Sequence, residues 1–217
     1  MKWIALVGLL MTTIAQAQST ADLADKFVGT LYANFQKSSV AGDLKGCGFD
    51  FSLVGRDDAT RTPSFYRATG AFMLRSDAAT LRFVLKIGVQ DLNIKTMKAK
   101  NPWPPASAYI SARNGSPVKS VLRIPSDVPG YVMFAYPINQ VSLSAWQGLM
   151  EKGVIEIGFN RTASSLDLIS EIDAQVNETK TIGDEVVRVK SYEVIEKIGA
   201  CSLQLTDQEL SHLDAKR

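Results

Sequence analysis

Few residues in this chain could do covalent chemistry, and their spacing narrows the choice further. The only histidine, His212, lies close to the end of the 217 residues. Ser-His-Asp and Cys-His nucleophilic sites need a held imidazole, and zinc sites draw on several His or Cys ligands. A lone histidine in a solvated tail suits neither. The cysteines are two, Cys47 and Cys201, with no Cys-x-x-Cys spacing. Each is the other's only possible partner, so they read as a structural disulfide and not as a redox pair. Glu171 and Asp173, at i and i+2, would share one face of a strand, and a glycosidase-type hydrolase needs two carboxylates facing a cleft. A solvated sheet face accounts for the same alternation, and is the preferred reading. Asp57-Asp58 could join a Ca²⁺ site only with further oxygens, and a polar turn accounts for them without a metal. No phosphate-cradling glycine loop, dinucleotide fingerprint or EF-hand loop occurs. No cofactor or metal is expected.

Recognition is better supplied. Lys95, Lys98, Lys100 and Trp103 fall in one segment that ends Pro102-Trp-Pro-Pro105. A tryptophan in a proline-stiffened loop offers a large contact area at little ordering cost, and lysines steer acidic partners. The competing expectation has Trp103 folding back over the end of a sheet.

The start of the chain sets an address. Lys2, the apolar run Trp3–Ile14 and the small-x-small Ala15-Gln16-Ala17 read as a signal peptide of residues 1–17 cleaved before Gln18. No later stretch reaches the length of about 20 apolar residues that a bilayer requires. The expectation is an exported chain, periplasmic or secreted, whose residues 18–217 form a single domain. An oxidising compartment would preserve the Cys47–Cys201 bond. Asn160 and Asn177 open Asn-x-Thr triplets, read here as chance occurrences. Charge is near balance overall, yet residues 82–123 hold eight basic side chains against Asp91 alone, and residues 151–217 hold eight basic against thirteen acidic. Such a total does not point to nucleic acid.

Several elements would position these groups. Leu23, Phe27, Leu31 and Phe35 recur at four-residue steps, which predicts an amphipathic helix from Ser19 or Thr20 to Ser38-Ser39. Cys47, Phe49, Phe51 and Leu53 alternate as a half-buried strand. Residues 64–92 read as an antiparallel hairpin, with Leu81, Phe83, Leu85, Ile87 and Val89 on one face. A second hairpin is expected from Tyr109–Ala112 to Val118–Ile124 across Asn114-Gly115, then a strand at Tyr131–Tyr136. Ser142 or Ser144 begins a helix, where Ser144-x-x-Gln147 reads as a capping box, with Gly153 as the helix stop. Strands follow at Val154–Phe159 and Leu166–Ile172, and a ribbon turns at Gly183-Asp184. Ser191 caps a helix that aligns Val194, Ile198, Cys201 and Leu205, and Thr206-x-x-Glu209 reads as the start of a further short helix. The class is α+β: an antiparallel sheet or sandwich with an N-terminal helix, one mid-chain helix and C-terminal helices. The helix-Gly-strand order of Val141–Phe159 is similar to that of exported β-sandwich proteins of the invasion-associated type. That likeness spans under a tenth of the chain, and no function is carried over from it.

Three functions follow, in this order. The first is a non-enzymatic exported binding protein that meets a protein partner, as an accessory, inhibitor or immunity-like factor. The second is a small-molecule or lipid carrier, with a pocket between sheet and helices. The third is a carboxylate-dependent hydrolase of cell-wall or glycan material, using Glu171 and Asp173.

Overall fold

Long runs of alternating apolar residues make the largest sheet of the molecule. A computed structural model describes residues 22–58, 64–77, 80–93, 96, 98–163, 165 and 167–214, so the expected signal peptide and Lys95 lie outside the described residues. Strands β1 (Gly29–Val40), β2 (Asp43–Asp57), β3 (Ser64–Asp77) and β4 (Thr80–Asn93) form an antiparallel meander. Strands β9 (Tyr131–Pro137) and β8 (Leu122–Pro125) extend it beyond β4, and the short β5 (Lys98–Ala99) pairs with the end of β4. The expected 64–92 hairpin is therefore present, and its Phe83, Leu85, Ile87 and Val89 are buried. A second sheet has the order β11 (Leu168–Asp173), β10 (Val154–Asn160), β6 (Ser107–Ser111) and β7 (Val118–Lys119). The ribbon β12 (Val176–Ile182) and β13 (Glu185–Lys190) completes the strands.

The two larger sheets share one hydrophobic core. Phe49, Phe51, Leu53, Tyr66, Phe72, Phe83, Leu85 and Phe134 of the first meet Ile110, Ile155, Ile157, Phe159 and Ile172 of the second. Tyr66 packs edge-on against Phe159, with ring centroids 5.5 Å apart. The rest of the first sheet's inner face is covered by helices α2 (Gln140–Lys152) and α3 (Glu193–Asp214). Leu149 of α2 and Val194, Ile198, Cys201 and Leu205 of α3 are buried there. A smaller apolar cluster on the opposite face joins Val54 and Phe65 to Ala24 and Phe27 of the short helix α1 (22–27).

The disulfide is formed: Cys47 of β2 and Cys201 of α3 are bonded, with Cα atoms 5.7 Å apart. Gln208, two helical turns further along α3, accepts the Leu44 N–H and donates to the Leu44 carbonyl. The last helix is thus held to β2 at two places.

Four expectations need correction. The N-terminal helix stops at residue 27, and the chain that carries Leu31 and Phe35 is strand β1. A spacing of four fits both a 3.6-residue turn and a two-residue pleat, so the stripe did not discriminate. Gly29, at φ +116°, breaks the helix in a conformation that other residues rarely adopt. Residues 118–124 are not one hairpin arm: Val118–Lys119 pairs with β6 and Leu122–Pro125 with β9, so this segment passes from one sheet to the other. Helix α2 starts earlier, capped by Asn139, whose side chain accepts the Ser142 N–H while Ser142 Oγ accepts the Asn139 N–H. Ser144 Oγ instead donates to the Gln140 carbonyl within the helix. Finally, α3 runs unbroken through Thr206, whose Oγ1 donates to the Ser202 carbonyl, so one C-terminal helix replaces two. A Thr-x-x-Glu pattern inside a helix is compatible with backbone back-bonding as well as with capping.

Candidate functional site

The lysine and tryptophan segment is less of a loop than its prolines suggest. Strand β9 pairs with β4 only from Arg82 to Gly88, which leaves the far end of β4 free. Residues 98–103 fill that edge. Lys100 N–H donates to the Asp91 carbonyl, and Trp103 and Val89 exchange both backbone hydrogen bonds. Trp103 is half-buried and packs against the main core. The Arg161 guanidinium lies 4.7 Å from its ring centroid and also pairs with Asp91 at 2.7 Å. Lys98 and Lys100 stand in solvent, and neither has a carboxylate within ion-pair distance among the described residues.

The two candidate carboxylates line a cleft of about 370 Å³ between β1, β2, β11 and the ribbon, together with Arg56, Ser170 and Arg188. Both point outward from β11, as alternation around the buried Leu168 and Ile172 requires. They end on different partners. Glu171 pairs with Arg113 at 3.0 Å, and Asp173 pairs with Lys190 at 2.6 Å while accepting the Gln175 N–H. Arg188 crosses the cleft to donate to the carbonyls of Phe27, Val28 and Thr30. Thr30 Oγ1 accepts the Asp173 N–H, and the Tyr66 hydroxyl shares a hydrogen bond with Ser170. Burial, slightly relieved by that bond, pushes the Tyr66 phenol above its ordinary value. These contacts lace β1 to β11 and the ribbon to β1.

Asp57 and Asp58 serve arginines. Asp58 accepts from Arg56 Nε at 2.6 Å, and Asp57 lies 3.8 Å from Arg161. Asn160 is buried, with its side chain accepting the Ser107 N–H, so the first Asn-x-Thr triplet offers no accessible amide. A Ser-x-x-Lys spacing, Ser116 to Lys119, crosses an exposed loop into β7. On a helix that spacing would place both groups on one face; here it does not.

One strongly apolar recess was not legible as a site in the sequence. It is a groove of about 390 Å³ between α2 and α3, floored by Leu74, Leu81 and Phe83 and walled by Trp146, Met150 and Leu203. Trp146 lies over Phe83 with ring centroids 5.2 Å apart. No charged side chain among the described residues lines it. Its rim residues are unusually bare for their type, with Leu143 47% and Leu203 69% exposed. The disulfide sits directly behind: Leu74 is the cross-strand neighbour of Cys47, and Gly199 and Ser202 flank Cys201. In α2 the positions Leu143, Trp146 and Met150 fall at i, i+3 and i+7, a stripe wider than its one buried seam needs. That surplus was the available signal.

No helix among the described residues is long and apolar enough to cross a membrane. Comparison with family models, curated proteins and solved structures found no match to the chain, so the likeness of Val141–Phe159 to the invasion-associated proteins gains no support.

Proposed function

We propose that this protein is an exported, non-enzymatic interaction protein that holds an apolar segment of a partner protein in the α2–α3 groove. The groove carries this reading. Folding normally hides leucines, and a contiguous exposed apolar surface marks an interaction site more often than chance. A large aromatic such as the half-buried Trp146 is the kind of residue that dominates such contacts. The space between the sheets is filled by Phe49, Phe51, Phe72 and Tyr66. That favours an open contact surface over an enclosed carrier cavity. The leader-like start of the sequence and the long-range disulfide support export. Lys98 and Lys100, exposed and without carboxylate partners among the described residues, are placed to steer an acidic partner.

The test is a photo-crosslinking residue at Leu143, with a second at the exposed Gln36 of β1 as control. Irradiation in the exporting cell should yield a protein adduct from position 143 and none from position 36. A lipid or small-molecule adduct alone would move the assignment to a carrier. Equal labelling at both positions would remove the groove from consideration.

A further inference from the structure

The walls and floor of the groove restrict the backbone that can lie in it. Leu143, Trp146 and Met150 line it from α2 at i, i+3 and i+7, and Gly199, Ser202 and Thr206 line it from α3 at the same spacing. Each wall therefore runs for two helical turns, about 10 Å. A Cβ placed on Gly199 would meet nothing within 4 Å, so the α3 wall is low and open there. The floor residues Leu74 and Phe83 are already paired to strands on both sides, and each helical wall bonds its own backbone. An extended guest would leave its N–H and C=O groups without partners in an apolar recess. A helical guest bonds its own backbone and presents one apolar stripe.

The α3 rim carries charge of one sign. Glu196 and Asp207 lie at i−7 and i+4 from Leu203, so both border the exposed side of that wall. Both are exposed, and neither side chain has an ion-pair or hydrogen-bond partner among the described residues. The basic residues of the two helices are Lys152, which Glu151 offsets at the end of α2, Lys197, which pairs with Glu193, and His212 in the last turn of α3. The stretches 80–81 and 138–140, which bring Leu81 and Ile138 to the groove, contain no charged residue. Unpaired carboxylates beside exposed leucines select a guest with lysine or arginine along the edge of its apolar stripe. They also repel the same face of a second copy, which disfavours self-association there. Lys98 pairs with Asn93 at the other end of β4, roughly 35 Å from Leu81. The two charge preferences therefore fall on separate parts of a partner.

We infer that the groove receives an amphipathic helix of the partner, with apolar anchors at i, i+3 or i+4 and i+7 and basic side chains that meet Glu196 and Asp207. This rests on the function proposed above and adds the backbone form and charge of the guest.

A display library of random peptides about 15 residues long, enough for a helix of four turns, is panned over the disulfide-bonded protein. Enriched peptides should repeat apolar residues at i, i+3 or i+4 and i+7, carry net positive charge, and gain helical circular dichroism on binding. A labelled enriched peptide should bind about fivefold more weakly to the double variant Glu196→Gln/Asp207→Asn, the scale of two exposed ion pairs. Its affinity should also lose most of its dependence on salt. Both side chains are exposed and make no contact that folding needs, so this variant should fold. Enriched peptides with an alternating apolar pattern, or affinity and salt dependence unchanged in the double variant, would overturn this inference and leave the groove assignment standing. No enrichment, or binding untouched by Leu203→Glu, would overturn both. Concentration-dependent dimers that Leu203→Glu abolishes would give the groove to a second copy. Binding of decanoate in place of peptides would give it to a lipid. Either result overturns the inference.

Discussion

The two flanks of the sandwich close in opposite ways. On the β1–β11 flank, polar groups meet across the seam: Thr30 with the backbone of Asp173, Arg188 with three carbonyls, Tyr66 with Ser170. On the α2–α3 flank the covering elements are apolar and do not meet fully, so a groove with exposed leucines remains. Hydrogen-bonded groups on the first flank satisfy one another inside the chain. Leucines on the second gain nothing from water and have no internal partner. The difference teaches where each flank's free energy lies: the laced flank contributes to folding, whereas the grooved flank leaves apolar area uncovered, as the proposed binding role requires.

That contrast can be broken or sharpened by substitution. The largest effect should come from the staple behind the groove. Cys47→Ser and Cys201→Ser should each lower stability to urea by about 5 kcal/mol, since the bond closes a loop of sequence separation 154. The double variant should add little to either, because both remove one interaction; additive losses would refute the pairing. Next, Arg188→Met should cost about 1–3 kcal/mol by leaving three carbonyls without their donor. Amide exchange should then accelerate in β12 and β13 before it does in β2. Equal acceleration everywhere would mean that the lacing is not local.

A smaller change of opposite sign is expected at Tyr136. Its hydroxyl is buried and has no hydrogen-bond partner among the described residues, and burial drives its acidity far below that of a free phenol. Tyr136→Phe should raise stability by about 1 kcal/mol. The folded phenol holds its proton more tightly than the unfolded one. Its contribution is therefore complete below the unfolded value, roughly pH 10, and is lost as pH rises beyond it. An alkaline urea titration should show a shallower decline in Tyr136→Phe than in the parent. The smallest effect on stability belongs to the groove: Leu203→Glu should leave the urea midpoint nearly unchanged, as for most exposed positions.

Much of the sheet was legible because β2 and β4 alternate over many residues, and a two-residue period sustained that long fits a pleated strand and little else. Cys47 and Cys201 announced their bond by being the only pair. The ribbon declared itself through Gly183, which sits at φ +60° in its turn. Misreadings came where one pattern fits two structures. Leu23 to Phe35 satisfies a helix and a strand alike, and pairing with β2 decided it. Thr206-x-x-Glu209 satisfies a cap and a helix interior, and burial of Leu205 with the Gln208 clamp on Leu44 kept the helix whole. The division of 118–125 between two sheets depends on long-range partners that no local window contains. Trp103 was visible as a large side chain, yet its partner Arg161 lies far along the sequence. The groove was hidden for a related reason: its floor comes from β3 and β4 and its walls from two helices more than 40 residues apart in sequence.

The claim that the grooved flank is a binding surface is tested most directly by one paired measurement. A photo-crosslinking residue at Leu143 is placed in the parent chain and in Leu203→Glu, and urea midpoint and protein-adduct yield are read together. The account predicts matching midpoints and an adduct that disappears with Leu203→Glu. An adduct that persists, or a midpoint that collapses along with it, would contradict the account: the first would place the partner elsewhere, and the second would make Leu203 part of the fold's own core.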